Sequence, residues 1–303
     1  MIYLDNSATT PLCDAAKESV IKNIERFGNP SSVHFLGAQA KRELEAARTD
    51  VLAALGIRAL GTHRVIFTSC GTEADNLAIF GVLNAKNFRQ KPRFITTDSE
   101  HSAILVPLEY LEKRGDIELV KLSTKGGKIS LAELDKALTP NTALVSIMCT
   151  NNETGAINDV NAIAKLVKKK NPRAIFHSDG VQAFGKIPFR LSKEIDLYSV
   201  SAHKIGGLKG VGALIKRKSL VLPAYIIGGG PEGGRRSGTE NTFGIMQFAY
   251  AVEEKFSTFK ADFERLHEYR EALWAGLDKE VYTRLSPMDG TPYILTVSAV
   301  GLR

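Results

Sequence analysis

Short apolar runs with strand character alternate with stretches of helical period through most of this chain, and that alternation leaves few folds open to it. Residues 37–56 repeat apolar side chains at helical spacing, with Leu44, Ala47, Val51 and Leu55 on one face. Residues 64–69 read as a short buried strand, 73–83 as a helix, 93–97 as a strand and 101–111 as a helix. Ser130-Leu131-Ala132-Glu133 is a capping box that opens another helix. A strand over 143–148, a helix over 160–170 and strands over 174–177, 196–200 and 211–215 complete the series. The pattern predicts an α/β sheet with helices on both faces. From 245 to 277 one long helix is predicted, with Phe256, Phe259, Phe263, Leu266 and Leu273 as an apolar stripe packed in the core. A strand over 293–297 follows. A lone strand after a long helix has few partners, so the chain's end reads as the middle of a second domain.

Bulk properties narrow the function classes. The chain has 303 residues, 44% hydrophobic and 24% charged, as in an ordinary soluble globular protein. Asp, Lys, Arg or Gly interrupts every apolar run, which excludes a membrane span. Met1-Ile2-Tyr3-Leu4-Asp5 lacks the regions of a signal peptide, so the cytoplasm is expected. Cys13, Cys70 and Cys149 show no paired spacing for a metal or a disulfide framework. The net charge is +7, but the basic clusters, Lys168-Lys169-Lys170 and Lys216-Arg217-Lys218, are short and carry no interleaved aromatic residues. A solvated surface or attraction for anionic ligands is expected, not a nucleic-acid footprint.

The polar motifs fall where strands end, and open α/β sheets place ligands there. Gly71-Thr72-Glu73 opens a helix after an apolar strand, so its free N–H groups favour a phosphate. His101 begins the next strand-to-helix passage, and Asn151-Asn152-Glu153-Thr154-Gly155 follows another strand. Asp179-Gly180-Val181-Gln182 follows a fourth. Ser201-Ala202-His203-Lys204 closes a fifth and opens the glycine-rich turn Gly206-Gly207-Leu208-Lys209-Gly210. Burial lowers a lysine's pKa and frees its amine as a nucleophile, so Lys204 suits a Schiff base with pyridoxal 5'-phosphate. Asp179 is then the candidate acid beneath the ring nitrogen, and Gln182 is placed to reach the phenolic oxygen. Each motif alone has an ordinary alternative: a capped helix, a surface histidine, a turn or a solvated lysine.

With these motifs in this order, the chain resembles the cysteine desulfurases of the iron–sulfur-cluster assembly and nitrogen-fixation type, within the class V aminotransferases. The resemblance rests on Tyr3 to Pro11, Phe27 to Ser32, Phe67 to Asn76, Glu100-His101, Asn151 to Glu153, Asp179 to Gln182, Ser201 to Lys204, and Arg236-Ser237-Gly238-Thr239. It implies the fold type I architecture of pyridoxal-phosphate enzymes: a mostly parallel seven-stranded sheet flanked by helices, with a smaller, here incomplete, second domain. Residues 13–247 would form the large cofactor domain, and 1–12 with 248–303 the small one. Lys204 would hold the cofactor and later move protons. His101 would stack on the ring and assist proton transfer. Gly71 lies in the phosphate loop, and Thr72, Ser201 and His203 would bind the phosphate. Asn152 would lie near the cofactor and the substrate carboxylate. Thr239 would reach the phosphate of a partner subunit, which implies a homodimer with shared sites. The implied reaction converts L-cysteine to L-alanine, with the sulfur passing to an enzyme cysteine and then to an acceptor or scaffold protein.

The chain also departs from the family. The sulfur-accepting cysteine and the arginine that binds the substrate carboxylate are expected beyond Arg303, so the chain reads as a fragment, Arg303 suiting a trypsin-like cut, or else as a natural short form. Leu208 stands where the family commonly has proline, which would loosen that turn. Cys13 and Cys70 read as packing or incidental residues, and Cys149 as structural. The alternative functions are a selenocysteine lyase or other cysteine-cleaving lyase, and a non-catalytic cofactor-binding dimerisation protein.

Overall fold

The structure is a computed structural model that describes residues 2–58, 61–85, 88–299 and 301. Its centre is a seven-stranded sheet of β1 (His63–Thr68), β2 (Arg93–Thr97), β3 (Glu118–Leu122), β4 (Thr142–Ser146), β5 (Ile175–Asp179), β6 (Leu197–Ser201) and β7 (Gly212–Arg217). The strand order is β1-β7-β6-β5-β4-β2-β3, and only β7 runs against the rest. After β3 the chain crosses back over β2 to place β4, so strand order reverses between β2 and β4. Crevices at such reversals, beside the carboxyl ends of strands, are where open α/β sheets bind ligands.

The predicted alternation is present. Helices α1 (Asp14–Asn23), α2 (Phe35–Ala54), α3 (Gly71–Asn84), α4 (Ser102–Arg114), α5 (Leu131–Ala137), α6 (Val160–Lys170) and α7 (Thr242–Ala275) flank the sheet. Because the central strands are covered on both faces, their side chains are apolar on both. On β1, Val65 and Phe67 join one core with Leu44, Val51, Phe176 and Phe248, while Ile66 joins a second with Leu77, Ile79, Phe94 and Ile104. The Ser130 half of the capping box is present, its hydroxyl accepting from the Glu133 N–H at 3.4 Å.

Two expectations near the carboxyl end need correction. The strand predicted over 293–297 instead spans β9 (Val297–Ala299), and it is not alone, because it pairs with β8 (Tyr282–Arg284). Side chains divert the backbone before it. The Thr296 N–H donates to the Ser286 hydroxyl at 2.8 Å, and Tyr293 turns its ring towards Lys255 at 4.9 Å. The stripe on α7 is core only in part. Phe256 and Phe263 pack against the main core, whereas Leu273 is 53% exposed. At 34 residues α7 is about 51 Å long, so its far end reaches past the layer it packs on.

Candidate active site

A cavity of about 540 Å³ opens at the carboxyl ends of the parallel strands. Gly71, Thr72, His101, Asn152, Asp179, Gln182, Ser201, His203 and Lys204 all line it, although they come from five separate stretches of sequence. Thr239 does not. It borders a smaller cavity of about 240 Å³ with Ser69, Glu232 and Arg236.

Helix α3 aims its first turn at the large cavity. Its cap residue, Cys70, makes no side-chain bond to that turn, which leaves N–H groups for an anion. Gly71 is needed for close packing here, since a Cβ would lie 2.9 Å from Val181 Cγ2. The Ser201 hydroxyl, also in the lining, is buried and has no hydrogen-bond partner among the described residues.

Lys204 ends the turn after β6, where its Nζ donates to the carbonyls of Ser7 at 2.5 Å and Ala8 at 2.8 Å. Burial lowers its pKa, and the charges of Asp179 and Asp5 oppose that shift. The amino-terminal segment is stitched to the same turn. The Thr10 N–H donates to the His203 carbonyl at 3.0 Å, and His203 Nδ1 lies 3.1 Å from the Thr9 hydroxyl. Burial, then the cations of Lys204, Lys209 and Lys186, pull the His203 pKa down to about 4, so the ring is neutral at pH 7. His101 caps α4 by accepting the Ala103 N–H at Nδ1, 3.1 Å away. The neutral ring then carries its proton on Nε2. Gln182 donates its amide nitrogen to the Ser7 carbonyl at 2.8 Å.

Asp179 is one of three buried acids, with Asp75 and Glu100 near it. Asp179 accepts the Val181 N–H at 2.8 Å, and burial raises its pKa. Asp75 lines the cavity from α3; its oxygens accept no hydrogen bond of ordinary geometry among the described residues. Burial and the nearby Asp179 push its pKa well up, against the Ser199 hydroxyl. His177 Nε2 stands 3.6 Å from Asp75, but burial holds that ring's pKa near 3, so it is uncharged. Glu100 accepts from the Thr97 hydroxyl and the Met148 N–H on one oxygen, and its other oxygen has no partner among the described residues.

Burial raises the Glu100 pKa from 4.5 to about 8. With the folded value above the unfolded one, the native state holds the extra proton, and stability falls as pH rises from about 4.5 to about 8. Glu100→Gln keeps the acceptor and cannot ionise. Urea unfolding across that window is expected to show the variant gaining on the wild type as pH rises. A constant difference between the two would show that Glu100 is not the group responsible.

Sequence reasoning missed several lining residues. Asp75 shares the buried face of α3 with Gly71, Ala78, Ile79 and Val82, and an acid on an otherwise apolar face was the available signal. Cys70, read as incidental, borders the cavity. Cys149 is a core residue whose thiol burial pushes up to about 12, which makes it an inert packing group.

Residues 2–298 match the family described as Aminotransferase class-V. A cysteine desulfurase from Trichormus azollae is 43% identical over 256 residues, covering 84% of this chain and 62% of its own length. The cysteine desulfurase IscS of Pectobacterium carotovorum subsp. carotovorum (strain PC1) is 38% identical over 306 residues, covering 98% of this chain and 74% of its own. A solved NifS-like protein superposes with a TM-score of 0.94 at 37% identity, covering all of this chain and 82% of that one. The chain thus spans less than two thirds of the Trichormus protein, at 62%. A mostly parallel seven-stranded sheet, a ligand-sized cavity at its strand ends and a match over nearly every residue agree: the chain belongs to the class V aminotransferase family.

Proposed function

We propose that this chain forms the cofactor-binding part of a pyridoxal-phosphate-dependent cysteine desulfurase, which converts L-cysteine to L-alanine and passes the sulfur to a thiol. The observation that carries this reading is the convergence of Lys204, Asp179, Gln182, His101 and the α3 amino terminus on one cavity. The cavity fits the cofactor chemically. It offers an anion a helix start and a Ser201 hydroxyl without a partner among the described residues, and it offers a cationic ring N–H the buried Asp179, with Asp75 beside it. When bound, pyridoxal phosphate supplies an electron sink for bonds at the substrate's α-carbon.

The residues divide the work. Lys204 Nζ, with its pKa lowered by burial, is the amine that attaches the cofactor and later carries a proton. Asp179 holds the positive charge of the ring nitrogen, and Gln182 donates from its amide nitrogen to the phenolic oxygen. Thr72, Ser201 and the neutral His203 hold the phosphate together with the Gly71 N–H. His101 covers the ring and offers its Nε2 proton to the substrate. Asn152, half-buried at the rim, orients the substrate carboxylate. Residues 13–247 serve as the cofactor domain, and 1–12 with 248–303 as the smaller one.

Thr239 acts across a homodimer, on the phosphate of the partner's site. Support comes from exposed Val33, Phe35, Val221 and Ile227, and from Val33 and Pro231 lining one cleft beside the Thr239 loop. The sulfur goes on to an acceptor protein for iron–sulfur clusters or another sulfur-containing cofactor. Cytoplasm is the proposed compartment; no helix among the described residues is long and apolar enough to cross a membrane.

The test is to load the chain with pyridoxal phosphate, supply L-cysteine and a reducing thiol, and measure alanine, sulfide and pyruvate. Alanine with sulfide is the expected result. Pyruvate with sulfide would mean an elimination lyase and would overturn the reading.

A further inference from the structure

Lys186 is a buried cation without an anion. It sits in the turn after β5, four residues past Gln182, and is 2% exposed. None of the ion pairs among the described residues includes it. Among the described residues, the one hydrogen bond of its ammonium is to Gln182: Nζ donates to Oε1 at 2.8 Å. The opposite end of the same amide donates to the Ser7 carbonyl at 2.8 Å, and that carbonyl also accepts from Lys204 Nζ at 2.5 Å. A continuous chain of hydrogen bonds therefore runs from Lys186 through Gln182 and Ser7 to Lys204.

Each link has a fixed sense. An ammonium can only donate, so the amide atom facing Lys186 must be the oxygen. A backbone carbonyl can only accept, so the atom facing Ser7 must be the nitrogen. The two neighbours demand the same orientation, and the amide nitrogen, with one hydrogen on Ser7, keeps its second hydrogen for the cavity.

We propose that Lys186 is a positioning residue, whose ammonium holds the Gln182 amide so that its nitrogen is offered to the phenolic oxygen of pyridoxal phosphate. This rests on the cofactor reading above and concerns how tightly, and at what pH, the cofactor is held. The surroundings favour an anion there. Lys204 faces Lys186 from the turn after β6, Lys255 faces it from α7, and the Tyr293 ring lies 5.9 Å from Lys186 and 4.9 Å from Lys255. Asp262 compensates Lys255 at 3.2 Å, which leaves Lys186 uncompensated. Burial first, then Lys204 and Lys255, lower the Lys186 pKa to about 7. Below that value it is an obligate donor; above it the neutral amine has a lone pair, and the amide is less firmly oriented.

The experiment measures the dissociation constant of pyridoxal phosphate, by absorbance titration at about pH 6 and about pH 8.5, on either side of neutrality. Wild type, Lys186→Met and Lys186→Arg are compared, with thermal unfolding of each as a check on folding. Lys186→Met is expected to weaken binding about tenfold at the lower pH, the size of a hydrogen bond to a charged group, and less at the higher one. Lys186→Arg, a cation at both, should match wild type at the lower pH and exceed it at the higher. Lys186→Met that binds as wild type does at both values would overturn the inference alone. If Lys186→Met does not fold, the arginine arm decides, and the same ratio to wild type at both pH values overturns it. Wild type that binds no pyridoxal phosphate would overturn the cofactor reading and this inference with it.

Discussion

Lys204→Ala is expected to give a folded chain that borohydride no longer couples to pyridoxal phosphate, with turnover of cysteine lower by at least about a thousandfold. The side chain is half-buried and its contacts are two backbone carbonyls, so the substitution removes little from stability. What it removes from chemistry is large. Its Nζ is the cavity's only amine from a lysine among the described residues, and burial has already lowered its pKa towards the free base. The Ser7 and Ala8 carbonyls that hold it belong to the amino-terminal turn, so attachment of the cofactor should release that turn from the lysine. Peptide mapping after reduction of the wild type reads the attachment point directly. Coupling at any other lysine, Lys186 included, would show the assignment of Lys204 to be wrong.

What was legible in the sequence follows from how each segment meets its neighbours. Strands β1, β4 and β6 are buried on both faces and therefore appear as plain apolar runs. Strand β3 escaped notice because it closes the sheet's edge, where Glu118 and Lys121 face solvent and break the run. Helix α1 escaped for a related reason: its buried residues are Ala16, Ser19 and Asn23, small or polar, so no stripe marks it. Most of the candidate residues that line the cavity announced themselves by standing at strand ends. Asp75 and Lys186 did not. Each is an ionisable residue whose burial is decided by elements far off in sequence, and in a chain with 40 Lys and Arg a further lysine reads as surface. Thr239 ends a motif as clear as the others; the family resemblance, not any local pattern, set it apart as a residue for a partner's site, and the fold places it in a different cavity.

Glu232→Ala is expected to cost about 3–5 kcal/mol, the range found when one partner of a buried ion pair is removed. Glu232 and Arg48 are bound at both ends of a fork, Nη1 to Oε2 at 2.7 Å and Nη2 to Oε1 at 2.6 Å, with side chains 2% and 11% exposed. Nη1 also donates to the Val65 carbonyl at 2.9 Å, and the guanidinium lies 4.9 Å from the centre of the Phe67 ring. Alanine would leave both of that cation's terminal nitrogens facing a hole, with the more exposed Glu45, 3.0 Å from Nε, as its remaining carboxylate partner. It would also strand the Phe67 N–H, which now donates to Glu232 at 3.1 Å. A second cost acts in the opposite direction. Glu232 has φ 53, the left-handed region, which penalises a side chain by about 1–2 kcal/mol. Glu232→Gly sheds that strain while losing the same ion pair, so it should be less destabilised than Glu232→Ala by about that amount. Urea unfolding of both variants separates the terms, and a loss below about 1 kcal/mol in the alanine variant would mean that the pair barely exceeds its desolvation cost. The consequence extends to the site. Arg236, four residues on, is paired with Glu73 at 2.8 Å, and Glu73 in turn accepts the Ser69 N–H at 2.8 Å beside the α3 amino terminus. The two ion pairs thus clasp the loop before Thr239 to the strand and helix that lead into the Gly71 end of the cavity. In a dimer with shared sites, loosening Glu232 should weaken pyridoxal-phosphate binding as well as the fold, although Glu232 lines no part of the cavity itself.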